Sequence, residues 1–469
     1  MIKSALLAVI LLQGCAQLSP TAVSRALKIS TASTSLTLCT HAFVSGLDPE
    51  RAYRDEVRPA PGMGLVAWAL RYQVDRERKE VQTTVLGGAQ SRYVYREGLG
   101  CLPDYGKPLS TTWQPPAPEP GVIDPFPSLG GTTQVLTRDP DIAAAIDAAF
   151  EEPATGSPRR TQAVLVVHRG QLIAERYAKD VGLQTPLQGH SLSKSLTHAL
   201  IGRLVAQGRL DPDAPLNLPA WQTARDPRAK ITANQLLAMA SGLPWDEYAG
   251  GWDESTRMWF AEPDPFAYSV SVPAVAEPGT QWNYSNLGYA VLSRLLTNAL
   301  TNTFGKPLEG SARAVLDFAH QELFARLGMK NTLLTFDATQ TPLGANLFLA
   351  SARDWARLGL LYLGEGRVGQ QQLLSPDWVR QARTPTLDAG YGRGFWLNHT
   401  SAAHPLPGHW GLPGAPADAY FARGYLGQFI VIVPSADLVI VRLGISYRRG
   451  GDIETVGNLV GRVAQRLVK

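Results

Sequence analysis

Two pairs of strand-like runs, one near each end of the C-terminal part of the chain, constrain its fold most strongly. They cover residues 163–168 with 172–177, and residues 429–433 with 438–443. A short turn separates the two runs of each pair, which is typical of an antiparallel hairpin. The stretch from about 191 to 380 has the apolar spacing of helices, and a closing helix is predicted over 453–467. The simplest α/β architecture is one antiparallel sheet assembled from both ends, with a mostly helical region inserted.

A proline-rich segment separates this part of the chain from the N-terminal region. Seven prolines fall between residues 106 and 131, and proline fixes φ and removes a donor, so a stiff linker is predicted. Strand-like runs upstream of it lie at 65–70, 81–86 and 91–96. The expected divisions are a small β-rich unit at 36–105, the linker at 106–137 and the main domain at 138–469.

The first residues resemble an export signal. Lys3 precedes an apolar run that is too short to be a permanent membrane span. Leu12-Gln13-Gly14-Cys15 then resembles a bacterial lipobox, in which the cysteine is lipidated after cleavage before it. We expect a signal peptide at 1–14, a lipid on Cys15, a tether at 15–35 and a periplasm-facing, membrane-anchored protein of the bacterial cell envelope. The alternative is an ordinary signal peptide with an incidental cysteine.

Two cysteines, Cys39 and Cys101, remain if Cys15 is lipidated. An even pair in an exported protein favours one disulfide, because envelope compartments are oxidising. Two buried free thiols are the alternative. The disulfide would close the β-rich unit.

Charge and histidine content argue against two classes of function. The net charge is +4, both signs are mixed along the chain and no long Lys/Arg run occurs, which argues against nucleic-acid binding. The eight histidines show no His-Glu-x-x-His or paired-ligand spacing. We therefore expect neither a metal nor another cofactor.

The chain contains one Ser-x-x-Lys sequence, Ser191-Leu192-Ser193-Lys194, at the start of a predicted amphipathic helix. Serine and lysine three positions apart share a helix face, so the amine can reach the hydroxyl. A serine at a helix N-terminus also feels the helix dipole, and burial lowers the pKa of a lysine so that it can act as a base. The alternative is a solvent-facing lysine on an ordinary helix.

Two further motifs add to this sequence. Tyr284-Ser285-Asn286 lies on a predicted loop before an apolar helix. A tyrosine there can pass on the serine proton if a nearby ammonium lowers its pKa. Arg423-Gly424-Tyr425 leads into a predicted strand, and glycine lets a substrate approach the strand edge.

The order of these motifs resembles that of the serine β-lactamase/penicillin-binding superfamily, in particular class C β-lactamases and their relatives. The relatives include D-alanyl-D-alanine carboxypeptidases, family VIII esterases and 6-aminohexanoate-dimer hydrolases. Segments at 231–243 and 351–359 are also similar, and the resemblance covers roughly residues 138–469. It implies the α/β sandwich of that superfamily, an antiparallel sheet flanked by helices, in addition to the small N-terminal β-rich unit.

The resemblance implies a role for each matched residue. Ser191 would be the nucleophile and Lys194 its base, while Tyr284 would transfer protons to and from the leaving group and the deacylating water. The backbone N–H groups of Ser191 and Tyr425 would form an oxyanion hole, and Asn286 would bind the substrate amide. The implied activity is hydrolysis of an ester or amide bond in a small molecule or peptide through a seryl acyl-enzyme.

One departure concerns the strand motif. β-Lactamases carry Lys-Thr-Gly where this chain has Ala422-Arg423-Gly424. Arg423, beside Gly424, is either a substitute receptor for an anionic group or a surface arginine. A β-lactamase or D-Ala-D-Ala carboxypeptidase is the second expectation. The third is an inactive cell-wall-binding or sensing relative, which the intact Ser191, Lys194 and Tyr284 argue against.

Other candidates carry less weight. Gly189 to Ser193 nearly matches Gly-x-Ser-x-Gly but ends in serine, and the strained elbow of that motif needs small residues. His190 is interpreted as structural. Four further residues are interpreted as buried-core or surface-loop residues, with a position in the lining of the cleft as the alternative: Trp245, Asp246, Glu247 and Trp396.

Overall fold

The computed structural model describes residues 20–85, 88–106, 112–117, 124–223, 225–247, 253–301, 310–398 and 411–468. Its strands are β1 (Leu70–Asp75), β2 (Glu80–Val85), β3 (Ala89–Arg96), β4 (Gly100–Pro103), β5 (Thr161–His168), β6 (Gln171–Tyr177), β7 (Leu187–Gln188), β8 (Thr332–Leu333), β9 (Leu349–Ala350), β10 (Arg367–Val368), β11 (Gln371–Gln372), β12 (Trp396–Leu397), β13 (Tyr420–Gly424), β14 (Gln428–Val433) and β15 (Leu438–Gly444). Its α-helices are α1 (Pro20–Cys39), α2 (Pro49–Ala52), α3 (Pro140–Phe150), α4 (Leu192–Ala206), α5 (Ala233–Leu237), α6 (Glu254–Phe260), α7 (Pro265–Ser271), α8 (Asn286–Thr301), α9 (Ser311–Ala319), α10 (Ala325–Leu327), α11 (Ala352–Leu363), α12 (Pro376–Ala382) and α13 (Ile453–Val468).

A six-stranded antiparallel sheet forms the centre of the main domain, in the order β12-β13-β14-β15-β5-β6. The pairing of β5 with β15 joins the two ends of the domain, with Val167 opposite Val439. Every residue of β14 and β15 is buried, as expected when helices cover both faces of a sheet. Helix α11 packs closely on these strands, since a Cβ at Gly359 would lie 2.7 Å from the Val439 side chain. The predicted α/β sandwich is confirmed.

Helix α4 lies in the interior of the inserted helical region. All of its residues from Leu192 to Leu204 are buried, so the helix is covered on every side. Its buried hydroxyls are satisfied by loops around it: Ser195 Oγ donates to the Gly394 carbonyl over 2.6 Å, and Thr197 Oγ1 donates to the Gly344 carbonyl over 2.8 Å. These contacts fix α4 and therefore the serine that precedes its first residue.

The N-terminal unit is a four-stranded antiparallel sheet, β1-β2-β3-β4, with α1 packed against it. Ser35 Oγ donates to Thr83 Oγ1 over 2.8 Å, and the Thr31 and Ser91 hydroxyl oxygens lie 2.9 Å apart. At the end of α1, Cys39 is bonded to Cys101 of β4, which confirms the predicted disulfide.

The first predicted strand of this unit, 65–70, is wrong in position, because β1 begins only at Leu70. A 3₁₀ turn occupies residues 63–65, directly after Gly62, whose φ of +80° starts the turn. Leu65 and Trp68 are 72% and 71% exposed. The apolar run that predicted a strand is therefore largely a solvent-facing turn.

The tether predicted over 15–35 is also wrong from Pro20 onward, where the chain forms α1. The serines and threonines that suggested a tether donate to carbonyls one turn earlier, as Ser30 does to Ala26 (2.9 Å) and Thr34 to Ser30 (2.7 Å). Satisfied in this way, small hydroxyl side chains can be buried in a helix. The signal peptide, Cys15 and parts of the predicted linker lie outside the described residues. No helix in the described ranges is both long and apolar enough to cross a membrane.

Candidate active site

Ser191 lies at the N-terminal end of α4, in a tight turn after β7. The turn contains His190 with a φ of +47°, in the left-handed region that few residues other than glycine adopt. Ser193 holds the turn, because its hydroxyl donates to the His190 carbonyl (2.6 Å) and accepts from the Phe348 N–H (3.0 Å). Backbone strain that is fixed by its surroundings is concentrated at functional sites.

Lys194 lies one turn along α4, with its amine against Ser191. The side chain is 1% exposed. Its Nζ donates to Ser191 Oγ over 2.9 Å, to Asn286 Oδ1 over 2.6 Å and to the Ala345 carbonyl over 2.8 Å. Burial lowers the pKa of Lys194 to about 8, although the nearby charges of Glu247 and Asp246 raise it. The neutral amine is therefore accessible close to neutral pH.

Two acidic side chains hold the amide of Asn286. Its Nδ2 donates to Asp246 Oδ1 over 3.1 Å and to Glu247 Oε1 over 2.7 Å, which turns its Oδ1 towards Lys194. Asp246 Oδ2 also accepts from the Leu287 N–H at 2.9 Å, at the start of α8. Burial and the neighbouring Glu247 raise the pKa of Asp246. The two acids thus fix the orientation of the amide that contacts the lysine.

Tyr284 lies in the loop before α8, and its hydroxyl is hydrogen-bonded to the Ser191 side chain. Its ring stacks on Trp396 with the centroids 5.3 Å apart, and Lys194 Nζ lies 4.9 Å from its ring centroid. Burial raises the pKa of Tyr284 well above its ordinary value. The condition that a nearby cation lowers this pKa is not met, because desolvation outweighs the lowering effect of the Arg423 guanidinium. Tyr284 is therefore a protonated phenol at neutral pH.

The end of β13 brings Arg423, Gly424 and Tyr425 beside the nucleophile turn. A Cβ at Gly424 would lie 2.2 Å from the Gly189 carbonyl oxygen, so only glycine permits this approach. The Arg423 guanidinium lies 6.0 Å from the Trp396 ring centroid, and burial lowers its pKa to about 10. Arg423 faces the cavity of the site rather than the outer surface.

The residues around Ser191 border a cavity of about 680 Å³. Those of the sequence-predicted site that line it are Ser191, Tyr284, Arg423, Gly424 and Tyr425. Lys194 lies behind the lining, where it contacts only protein groups among the described residues. In the same described ranges, no three His, Cys, Asp or Glu side chains are grouped so that they could hold a metal ion.

Asn286 is buried beside Lys194, behind the residues that line the cavity. It is 2% exposed, its Nδ2 donates to both acids and its Oδ1 accepts from Lys194. In this arrangement Asn286 holds the lysine. Its contact with a substrate amide stays a prediction of the resemblance.

The sequence interpretation missed the acids of the site. Asp246 and Glu247 hold Asn286, which the sequence did not predict. Trp245, Glu247 and Trp396 line the cavity, which was the alternative to a core or surface-loop position, and so does His190, which was predicted to be structural only. The available signal was the pair of adjacent acids directly after an apolar run, Leu243 to Trp245. Acidic side chains are rarely buried in a core unless they are paired.

Known proteins share the main domain. The family described as Beta-lactamase matches residues 146–444. The 6-aminohexanoate-dimer hydrolase of Paenarthrobacter ureafaciens is 22% identical over 364 residues, which cover 72% of this chain and 88% of that protein. The D-alanyl-D-alanine-carboxypeptidase/endopeptidase AmpH of Escherichia coli strain K12 is 26% identical over 212 residues, which cover 43% of this chain. The match spans only about half of AmpH, 52% of its length.

A solved structure shares the same fold. The putative 6-aminohexanoate-dimer hydrolase from Bacillus anthracis matches with a TM-score of 0.56 at 18% identity, covering 72% of this chain and 88% of that one. At this identity the likeness concerns the fold alone. The N-terminal unit, from α1 to β4, precedes the segment that the family matches.

Proposed function

The chain belongs to the Beta-lactamase family of serine hydrolases, and on this premise we propose that it cleaves an ester or amide bond through a covalent acyl-enzyme on Ser191. Lys194 is the base that activates the serine, and Tyr284 is the proton donor. The observation that carries the proposal is the 2.9 Å contact between Lys194 Nζ and Ser191 Oγ in a buried site.

The hydrogen bonds of Lys194 support its role as a base. Asn286 Oδ1 and the Ala345 carbonyl can only accept, so each of them takes one N–H of the amine. A neutral amine has two N–H groups and one lone pair. The lone pair is then left for the Ser191 hydroxyl, which can donate to it and give up its proton during attack.

In acylation, Ser191 Oγ bonds to the substrate carbonyl carbon while its proton passes to Lys194 Nζ. The carbonyl π electrons move onto the oxygen, which we assign to the N–H groups of Ser191 and Tyr425. Collapse of this intermediate breaks the bond to the leaving group, which takes a proton from the Tyr284 hydroxyl. The proton on Lys194 returns to Tyr284 by way of Ser191 Oγ, which contacts both groups, so the serine proton ends on the leaving group.

Deacylation follows the same route in reverse. Water attacks the acyl carbon and gives a proton to the Tyr284 oxygen, while the Tyr284 hydroxyl gives its own proton to Ser191 Oγ, which leaves as the free serine. The raised pKa of Tyr284 supports this assignment, because a phenol that stays protonated can donate to each leaving group in turn.

An ester or a linear amide is the favoured substrate class. The relative named 6-aminohexanoate-dimer hydrolase, which this chain covers over 88% of its length, supports this class. A β-lactamase or D-Ala-D-Ala carboxypeptidase is the second candidate, favoured by the position of Arg423 in the cavity, where it could pair with a carboxylate. Ala422 stands where β-lactamases carry a lysine, so we place this candidate second.

Covalent labelling tests the proposal. A fluorophosphonate probe should label the wild-type protein on the peptide that contains Ser191, and Ser191→Ala should abolish the label while the exposed control Ser24→Ala keeps it. Label on the Ser191→Ala variant would contradict the assigned nucleophile, and an unlabelled wild-type protein would support an inactive cell-wall-binding or sensing relative. A panel of p-nitrophenyl esters, nitrocefin and D-Ala-D-Ala peptides then separates the substrate classes.

We further propose that Cys15 anchors the protein in the bacterial cell envelope, facing the periplasm, after removal of residues 1–14. The lipobox-like sequence before Cys15 supports the anchor, and the Cys39–Cys101 disulfide supports an oxidising compartment. Cys15→Ala should move the protein from the membrane fraction to the soluble fraction or block its processing. Unchanged fractionation and processing would contradict the anchor.

A further inference from the structure

One face of α1, in the N-terminal unit, lines the same cavity as Ser191. The residues that contribute to this face recur every three or four positions along the helix, as one side of a helix requires: Ala26, Ile29, Ser30, Ser33, Leu36 and Thr37. The family match begins only at residue 146. The site is therefore partly built from a segment that precedes the family domain.

Contacts on both sides hold α1 in this position. On the sheet side, Ser35 is hydrogen-bonded to Thr83, and the Cys39–Cys101 disulfide attaches the end of the helix to β4. On the side of the main domain, Lys28 Nζ donates to the Ala261 carbonyl over 2.6 Å, directly after α6. The helix is thus a fixed wall of the cavity.

The wall that α1 contributes continues into other apolar side chains. Val57 and Met63 of the N-terminal unit line the cavity, as do Trp259 and Phe260 at the end of α6. Together with Ile29 and Leu36 of α1, they form an apolar wall whose residues come from both parts of the chain.

Two acidic side chains that also line the cavity, Glu56 and Asp253, have partners within the protein. Glu56 Oε2 lies 2.9 Å from His41 Nε2. Asp253 Oδ1 accepts from the Thr256 N–H at 2.9 Å and from the Ser255 hydroxyl at 2.8 Å. These contacts engage one oxygen of each carboxylate within the protein, and apolar side chains from both parts of the chain line the cavity beside them.

We propose that this wall is a subsite for an apolar chain of a small ester or amide, defined by Ile29, Leu36, Met63, Trp259 and Phe260. The inference rests on the proposed function, because the chain it binds is attached to the carbonyl that Ser191 attacks. A cavity of 680 Å³ falls within the range of about 300–1,000 Å³ that holds a small ligand. Burial of each methylene favours binding roughly fourfold, so specificity should depend on chain length.

A series of p-nitrophenyl esters from acetate to decanoate tests the subsite. The wild-type kcat/KM should rise at least about tenfold from acetate to the best medium-chain ester. Ser33→Trp places a large ring on the cavity face of α1 and should lower the ratio of medium-chain to acetate kcat/KM at least about tenfold. Ser24→Trp makes the same change at an exposed position of the same helix and should leave the ratio unchanged.

A second variant covers the case in which Ser33→Trp disturbs folding, which its melting temperature would report. Ile29→Ala removes side-chain volume from the wall and should shift the preferred ester to a longer chain. If wild type shows no preference for longer chains, or if neither variant changes the profile, the subsite is wrong. Turnover of the acetate ester and fluorophosphonate labelling of Ser191 test the proposed hydrolase function separately from the subsite. If the wild-type protein shows neither, the hydrolase function itself is contradicted.

Discussion

Lys194 Nζ donates a 2.6 Å hydrogen bond to Asn286 Oδ1, and Asn286 donates in turn to Asp246 and Glu247. A neutral amide therefore separates the amine from two acids. A carboxylate in direct contact with the amine would favour the ammonium and raise the pKa of Lys194. The amide holds the lysine in place without adding a charge at contact distance, which suits a residue that has to act as a base.

Replacing this amide by an acid should shift the pH dependence of the enzyme. Asn286→Asp puts a carboxyl group in contact with Lys194 and should move the midpoint of the rising limb of the kcat/KM profile up by at least about one pH unit. Asn298→Asp makes the same change on α8 at another buried position and should leave the midpoint in place. If the midpoint is unchanged in Asn286→Asp, even with a lower rate, the proposed role of Asn286 in keeping a carboxylate away from Lys194 is contradicted.

The wild-type protein should gain activity as the pH rises through the pKa of Lys194. Below that pKa, which burial lowers to about 8, the amine is an ammonium and cannot accept the Ser191 proton. We expect kcat/KM for a p-nitrophenyl ester, corrected for spontaneous hydrolysis, to be half-maximal near this value, because this parameter reports the free enzyme. A flat profile from about pH 6 to pH 9 would show that Lys194 is not the base.

Tyr284→Phe should affect amides more than activated esters. The variant keeps the ring that stacks on Trp396 but lacks the hydroxyl that protonates the leaving group. Amines need that proton and nitrophenolate does not, so kcat/KM, which reports acylation, should fall by about 10²–10⁴ on amides and by clearly less on p-nitrophenyl esters. The matched control Tyr391→Phe, whose ring packs edge-on against Tyr284, should keep both activities. Equal losses on both substrates would argue against a donor role.

Esters should be better substrates than nitrocefin, because Ala422 stands in place of a lysine. We expect kcat/KM to differ by at least about tenfold, since a charged contact to a carboxylate contributes about 1.5–3 kcal/mol. Arg423→Ala should then impair only anionic substrates, and Arg367→Ala at the exposed position of strand β10 serves as the control. If the wild-type enzyme prefers nitrocefin, or if Arg423→Ala lowers kcat/KM for neutral esters as much as for anionic substrates, Arg423 is not a carboxylate receptor.

The disulfide should stabilise the N-terminal unit. It joins residues 62 positions apart, and closing a loop in the unfolded chain typically contributes about 2–4 kcal/mol to the free energy of unfolding. The double variant Cys39→Ser/Cys101→Ser should therefore melt at a lower temperature than wild type, by circular dichroism. If non-reducing peptide mapping of the exported protein finds Cys39 and Cys101 as free thiols, the stabilising disulfide is contradicted.

The sheet and the nucleophile could be predicted because their signals are local. The buried runs of β5 and β15 are continuous in sequence, and Ser191 and Lys194 lie within one turn of one helix. The resemblance then supplied Tyr284 and Arg423, which the structure brings to the same cavity.

The missed features depend on partners that are distant in sequence. The hydroxyl-rich sequence of α1 looks like a tether until the β-sheet and the main domain bury it from two sides. Asp246 and Glu247 acquire a role only through Asn286, about forty positions later. No periodicity within either segment reports such a contact.

The pairing of β5 with β15 also has a consequence for how the chain folds. As the chain is synthesised, β5 and β6 emerge long before the strand that completes the sheet beside them. Until β15 arrives, β5 presents an unpaired edge of buried-type residues, which invites association with other chains. A chain that stops before residue 438 should therefore aggregate rather than form a smaller active enzyme.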